Sequence, residues 1–158
     1  MSLSLQINGE TATVDAALHD TLLSVLREQL QLSAAKRGCN QGVCGACTVQ
    51  VDGWPARACL SLAHGCEGAQ VRTLEGLADT PRMRALQRAF VDAGAFQCGF
   101  CTPGMLMAAE ALLAREPAPD AAAVKRALSG NLCRCTGYVK IIEAVLAAAA
   151  ALRQEAAA

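Results

Sequence analysis

The chain has 158 residues, enough for one domain or two small ones, and its fourteen basic residues balance fourteen acidic ones to zero formal charge. That balance argues against a surface built to neutralise nucleic-acid phosphates, and aromatics at 3% leave little material for stacking bases. Nine cysteines fall in tight clusters rather than spread through the sequence as in a secreted disulfide scaffold, which favours metal.

The first residues, Met1 to Asn8, contain no basic stretch, apolar core or twin arginine that would mark export. A reducing cytoplasm is therefore the expected compartment, where free thiols and thiolate–metal bonds persist. Leu3, Leu5 and Ile7 alternate with polar residues up to Asn8-Gly9, and Thr11, Thr13 and Val14 follow, which is a hairpin pattern with Asn-Gly supplying the positive φ angles of a type I′ turn. Asp20 is the expected cap of a helix carrying Leu22, Leu23, Leu26 and Leu30. Thr48 to Val51 runs into Asp52-Gly53, a second hairpin signal, and Gln70-Val71-Arg72 is a further strand.

From about residue 81 the apolar pattern changes to a 3.6 period, so a boundary is placed in the stretch from Leu74 to Pro81. Helices are expected over 82–92, 103–115, 120–129 and 138–154, with Leu106, Ala109, Leu113, Val124 and Leu128 forming a bundle core that keeps water from the nearby cysteines. The fold class is α+β, with a mixed half over 1–76 and an all-α half over 77–158. Ala144 to Ala151 is apolar but shorter than the roughly 20 residues of a spanning helix, and Arg153 closes it, so no membrane span is expected.

The first cysteine constellation runs Gly38-Cys39-Asn40-Gln41-Gly42-Val43-Cys44-Gly45-Ala46-Cys47, a C-x4-C-x2-C pattern with Cys59 twelve positions beyond Cys47. This is the plant-type ferredoxin spacing, in which a short loop supplies three thiolates to a [2Fe–2S] cluster. Gly38, Gly42 and Gly45 allow the sharp turns such a loop needs and let backbone N–H groups approach the sulfurs. A zinc site is the alternative, disfavoured because structural zinc usually takes two paired knuckles. For the fourth ligand Cys66 competes with Cys59. Cys59 is preferred because the Asp52-Gly53 turn carries the chain back past the loop, and Cys66 then reads as a small buried residue.

The second constellation joins Gln97-Cys98-Gly99-Phe100-Cys101-Thr102-Pro103-Gly104 with Gly130-Asn131-Leu132-Cys133-Arg134-Cys135-Thr136-Gly137-Tyr138. Both pairs end where a helix begins, with Thr102 and Thr136 as expected N-caps and Pro103 at the first helical position. Two helix starts facing one anionic tetrathiolate cluster have an electrostatic reason to be there. A redox disulfide at Cys98 and Cys101 would belong beside a βαβ pattern, which this region lacks, and C-x-C is an unusual zinc spacing.

With both constellations in view, the chain resembles the small iron–sulfur subunit of the xanthine dehydrogenase and aldehyde oxidase family of molybdenum hydroxylases, in its separate-chain bacterial form. The resemblance rests on the two constellations as quoted, together with Thr48-Val49, Asp52-Gly53, Cys59-Leu60 and Met105, and covers nearly the whole chain. It implies a β-grasp, plant-type ferredoxin-like domain over 1–76 followed by a four-helix [2Fe–2S] domain over 77–158. It assigns Cys39, Cys44, Cys47 and Cys59 to one cluster and Cys98, Cys101, Cys133 and Cys135 to the other. It further implies that Gln97 hydrogen-bonds a molybdopterin held mainly by a large partner subunit, and that Cys135 is the iron ligand nearest that pterin.

The implied activity is electron relay. Two electrons released by hydroxylation at molybdenum pass singly through the clusters to a flavin-binding subunit or a cytochrome. A freestanding ferredoxin-type carrier is the alternative. The chain has no Gly-rich dinucleotide fingerprint and no room for a molybdopterin-binding domain, so no substrate site is expected on it. His19 and His64 are isolated and receive no role, Met105 and Met107 are expected to pack, and Trp54 and Arg134 are left without an assignment.

Overall fold

The alternation of Leu3, Leu5 and Ile7 puts all three on one face of the first strand, β1 (Ser2–Ile7), where each is buried. The computed structural model describes residues 1–157. Asn8 and Gly9 both take left-handed backbone angles, φ 56° and 89°, and turn the chain into β2 (Glu10–Asp15), which pairs antiparallel with β1 from Ser2 opposite Asp15 to Ile7 opposite Glu10. The second hairpin joins β3 (Thr48–Val51) to β4 (Trp54–Arg57) through Asp52 and Gly53, again both left-handed. The last strand, β5 (Gln70–Arg72), lies between the two hairpins, parallel to β1 and antiparallel to β3. The result is a five-stranded mixed sheet in the order β2-β1-β5-β3-β4, a β-grasp arrangement.

One helix covers this sheet. It begins as α1 (Leu22–Ser24) and continues as a π turn over Val25–Gln29, burying Leu22, Leu23, Val25 and Leu26 in the core of this half. The expected cap is displaced by one residue. Thr21 Oγ1 accepts the Ser24 N–H at 3.2 Å, whereas the Asp20 carboxylate turns back to accept the Ala17 N–H at 2.8 Å. The hydroxyl of Thr21 stands three residues before a free helical N–H, and the preceding turn offers Asp20 a donor of its own.

The second half is helical throughout: α2 (Leu74–Leu77), α3 (Pro81–Asp92), α4 (Thr102–Arg115), α5 (Ala121–Leu128) and α6 (Val139–Ala157). Thr80 and Asp120 cap α3 and α5 by accepting the Met83 and Ala123 N–H groups, at 3.3 and 2.6 Å. Helix α4 is the central element, buried without a break from Gly104 to Leu113 because β3, α3 and α5 all pack on it. Leu106, Ala109, Leu113, Val124 and Leu128 lie in the bundle core together with Met83, Leu86, Phe90, Met105 and Met107. Among the described residues no helix is long and apolar enough to cross a membrane.

A polar seam joins the halves. Glu110, the one charge in the buried run of α4, accepts from Arg82 Nη1 at 2.6 Å through one oxygen and from the Gln50 side-chain amide on β3 through the other. Asn131, also buried, donates to Gly45 O and Thr48 Oγ1, both at 3.0 Å. Arg57 spans the same seam, donating to Thr48 Oγ1 at 2.8 Å and to Gly130 O at 2.6 Å. At the far end the Arg115 guanidinium lies 4.6 Å from the centre of the Trp54 ring, a cation–π contact between α4 and β4.

Candidate metal centres

The first loop is bent around its own sulfurs. Cys39 Sγ accepts backbone N–H groups from Cys44 at 3.3 Å and Gln41 at 3.5 Å, and Cys44 Sγ accepts the Cys39 N–H at 3.4 Å. Gly42 and Gly45 take positive φ, as does Asn40, but Gly38 does not. Gly38 is required for space instead, since a β-carbon there would sit 2.8 Å from Cys44 Sγ. Cys47 enters from the start of β3, and Cys59 from the turn after β4, where the two thiols lie against each other. Cys66 is elsewhere, packed in the core of the sheet half with its thiol pushed up by burial and then by the Asp52 carboxylate.

The second set gathers at the end of the bundle where α4 and α6 begin. Cys98 Sγ and Cys135 Sγ are 3.7 Å apart and exposed, and the half-buried Cys101 and Cys133 thiols form the other pair. The expected shelter from water is therefore absent on one side, where Cys98 and Cys135 are exposed and Gly99 and Gly137 take left-handed backbone angles. Both expected threonine caps are also replaced. Thr102 lies inside α4, whose N-cap position is Cys101, and its hydroxyl is buried with no hydrogen-bond partner. Thr136 donates its hydroxyl to Cys133 Sγ at 3.1 Å and its backbone N–H to the same sulfur at 3.4 Å.

These surroundings divide the thiols. Hydrogen bonds from the Cys44 and then the Gln41 N–H hold Cys39 down at about 6. Burial pushes Cys133 up but is outweighed by the Thr136 hydroxyl and N–H, leaving it lowered to about 7. Burial dominates at Cys47, raised to about 11, and at Cys101, raised to about 12 with Cys133 adding to the rise. Cys135 is raised by its contact with Cys98.

The eight sulfurs thus form four pairs, two in each half: Cys39 with Cys44, Cys47 with Cys59, Cys98 with Cys135, and Cys101 with Cys133. Two thiolates on one metal atom at about 2.3 Å in tetrahedral geometry stand about 3.8 Å apart, close to the Cys98–Cys135 separation. Among the described residues no three His, Cys, Asp or Glu side chains converge as a single ion would require. Paired sulfurs with N–H and O–H donors aimed at them, and an orphaned hydroxyl beside Cys101, suit a two-iron anionic cluster, with one pair for each iron.

The halves meet between the two sets. The Leu132 N–H, next to Cys133, donates to the Cys44 carbonyl at 2.8 Å. Tyr138 OH accepts the Cys133 N–H and donates to the Asn131 carbonyl, both at 3.0 Å. Gln97 Nε2 donates to the Cys135 carbonyl at 3.0 Å, so these two residues stand together at the exposed end. His19 and His64 lie in neither set, and the His64 ring is 3.1 Å from the Ala16 carbonyl. Arg57 and Glu110 escaped the sequence reading, and Asn131 and Tyr138 were quoted in the second constellation without a role. A lone carboxylate inside the apolar run Met105 to Leu113, and an Asn two residues before a cysteine, were the available signals.

Two families match. One described as a 2Fe-2S iron-sulfur cluster binding domain covers residues 5–78, and one described as a [2Fe-2S] binding domain covers residues 73–146. The nicotinate dehydrogenase small FeS subunit of Eubacterium barkeri is 45% identical over 145 residues, which is 92% of each chain. The xanthine dehydrogenase iron-sulfur-binding subunit of Escherichia coli O157:H7 is 47% identical over 148 residues, again 92% of each. Among solved structures, a chain of quinoline 2-oxidoreductase from Pseudomonas putida 86 superposes with a TM-score of 0.90 at 46% identity, covering 98% of this chain and 96% of that one. With two [2Fe–2S]-binding domains in series and this likeness along almost its whole length, the chain belongs to the iron–sulfur subunits of the xanthine dehydrogenase and aldehyde oxidase family of molybdenum hydroxylases, the electron-transfer part of oxidoreductase complexes.

Proposed function

We propose that the chain relays electrons one at a time between the molybdopterin centre of a larger partner subunit and an acceptor, either a flavin-binding subunit or a cytochrome, in a cytoplasmic complex. Cys39, Cys44, Cys47 and Cys59 hold one [2Fe–2S] cluster on a domain spanning 1–76, and Cys98, Cys101, Cys133 and Cys135 hold the other on 77–158. Each bound cluster supplies a one-electron couple. Gln97 and Cys135, side by side at the exposed end, form the chain's contact with the partner's pterin. The observation that carries this reading is the direct backbone contact between the two cysteine sets, Leu132 N–H to Cys44 carbonyl, which ties them in series within one chain.

A freestanding carrier is the rival. Phe96, Phe100, Leu132 and Val139 are 42%, 47%, 50% and 62% exposed around the second set, and apolar exposure of this kind favours a permanently covered face over a transient one. Iron and acid-labile sulfide analysis tests the cluster assignment, with about four of each expected per chain. A colourless preparation containing zinc and no sulfide would overturn it. Co-purification tests the complex: a permanent subunit comes with a large chain and molybdenum, whereas a carrier is stable alone.

A further inference from the structure

Thr136 follows the last cysteine and makes two contacts to one sulfur. Its hydroxyl oxygen lies 3.1 Å from Cys133 Sγ and its backbone nitrogen 3.4 Å from the same atom. The hydroxyl also accepts the Tyr138 N–H at 3.3 Å. A hydroxyl has a single proton, and with its oxygen facing an N–H that proton is directed at the sulfur. The orientation is held at both ends. Gly137 and Tyr138 are both left-handed, φ 65° and 70°, an uncommon state for tyrosine, and the Tyr138 phenol is tied to the Cys133 N–H and the Asn131 carbonyl. The contact falls on the half-buried pair of the second set, where water competes least, while Cys98 and Cys135 stand exposed.

We propose that Thr136 is a potential-setting residue, whose hydroxyl raises the midpoint potential of the cluster in the helical half by donating to Cys133 Sγ. The inference rests on the ligand assignment proposed above. An added electron increases negative charge on the thiolates, so a donor aimed at one of them stabilises the reduced form more than the oxidised form. Helical-half ligands without this donor would make a poorer acceptor for electrons leaving the partner's centre. Thr136 acts through Cys133 and needs no contact with substrate.

The test uses the whole complex with Thr136→Val, which keeps the shape and removes the O–H, and Thr136→Ser, which keeps the O–H. Each cluster is followed separately by electron paramagnetic resonance during a potentiometric series. In Thr136→Val the helical cluster's one-electron equilibrium is expected to move about tenfold toward the oxidised form, a fall of about 59 mV. Thr136→Ser is expected to stay near the wild-type value, and the ferredoxin-like cluster to be unmoved in both. An unchanged midpoint in Thr136→Val, an equal shift of both clusters, or a Ser variant that behaves like Val would overturn the proposal. Should Thr136→Val lose the cluster, Thr136→Ala is measured in its place, and loss there too makes the residue structural and overturns it. A wild-type complex with one [2Fe–2S] signal would sink the ligand assignment instead, before any variant is compared.

Discussion

Replacing Gly104 by alanine sets two effects against each other. Helix propensity favours alanine over glycine by up to about 1 kcal/mol. A β-carbon at position 104, however, would sit 2.5 Å from Gly45 O, 3.2 Å from Asn131 Nδ2 and 3.4 Å from Ala46 Cα. Reaching an ordinary contact of roughly 3.5 Å requires α4 to retreat from the first cysteine loop by about 1 Å. Overpacking of this kind costs about 1–3 kcal/mol. The retreat also stretches the Asn131 bonds to Gly45 O and Thr48 Oγ1, each worth about 1 kcal/mol. The steric and hydrogen-bond losses outweigh the propensity gain, for a net destabilisation of about 2 kcal/mol, or roughly 30-fold in a rate governed by opening of the seam. The assay is the rate at which visible absorption bleaches at fixed urea concentration. Gly65→Ala serves as control, because a β-carbon there meets nothing within 4 Å. Bleaching of Gly104→Ala at or below the wild-type rate would mean that helix propensity wins and that the two halves are not held in close contact at this point.

Glu110→Ala is expected to lower stability by about 1–3 kcal/mol, because it takes the charged acceptor from the buried Gln50 amide and leaves it only the Met107 carbonyl at 3.5 Å, while Arg82, partly exposed, can turn to water. A urea midpoint equal to wild type would count against the seam as described. Cys98→Ser in the complex is expected to stop substrate-driven reduction of the ferredoxin-like cluster while leaving that cluster visible by electron paramagnetic resonance, and reduction at the wild-type rate would refute the proposed series order. In the cluster-free chain, iodoacetamide near pH 7 should modify Cys39 and Cys133 before Cys47 and Cys101, since the first two are lowered toward neutral pH and the others raised above it. Peptide mass spectrometry reads the order, and early labelling of Cys101 would contradict it.

Much of the fold was legible because local and global signals agree. Asn8-Gly9 and Asp52-Gly53 fall at both hairpin turns, and α3, α4 and α5 begin and end within a residue or so of the expected bounds, whereas α6 runs longer and the short α2 lies in the stretch read as a boundary. The pairing of sulfurs was less legible, since spacing shows which cysteines gather but not which two lie against each other. The threonines misled for a physical reason. Thr102 and Thr136 occupy cap-like positions by sequence, yet a turn closed by the Thr102 N–H on the Gly99 carbonyl puts Cys101 at the N-cap of α4, and the Thr136 hydroxyl turns to Cys133 Sγ. Asp20 failed as a cap because Thr21 competed one residue later. The seam was invisible for another reason. Glu110 stands out inside an apolar run and Asn131 beside a cysteine pair, but their partners Gln50 and Arg57 look like ordinary surface residues until the two halves are placed together.

The Gly45, Thr48 and Arg57 side of the seam meets Gly130 and Asn131 so closely that the halves are poor candidates for piecemeal exchange. Grafting the ferredoxin-like half of one relative onto the helical half of another must carry those five positions as a set. A chimera that keeps them should assemble both clusters, whereas a side chain at position 130, whose β-carbon would lie 2.3 Å from Arg57 Nη2, turns that guanidinium away from Thr48 and Gly130 and loosens the seam. Comparing iron content between two such hybrids would show whether these subunits diversify as interchangeable parts or only as matched pairs.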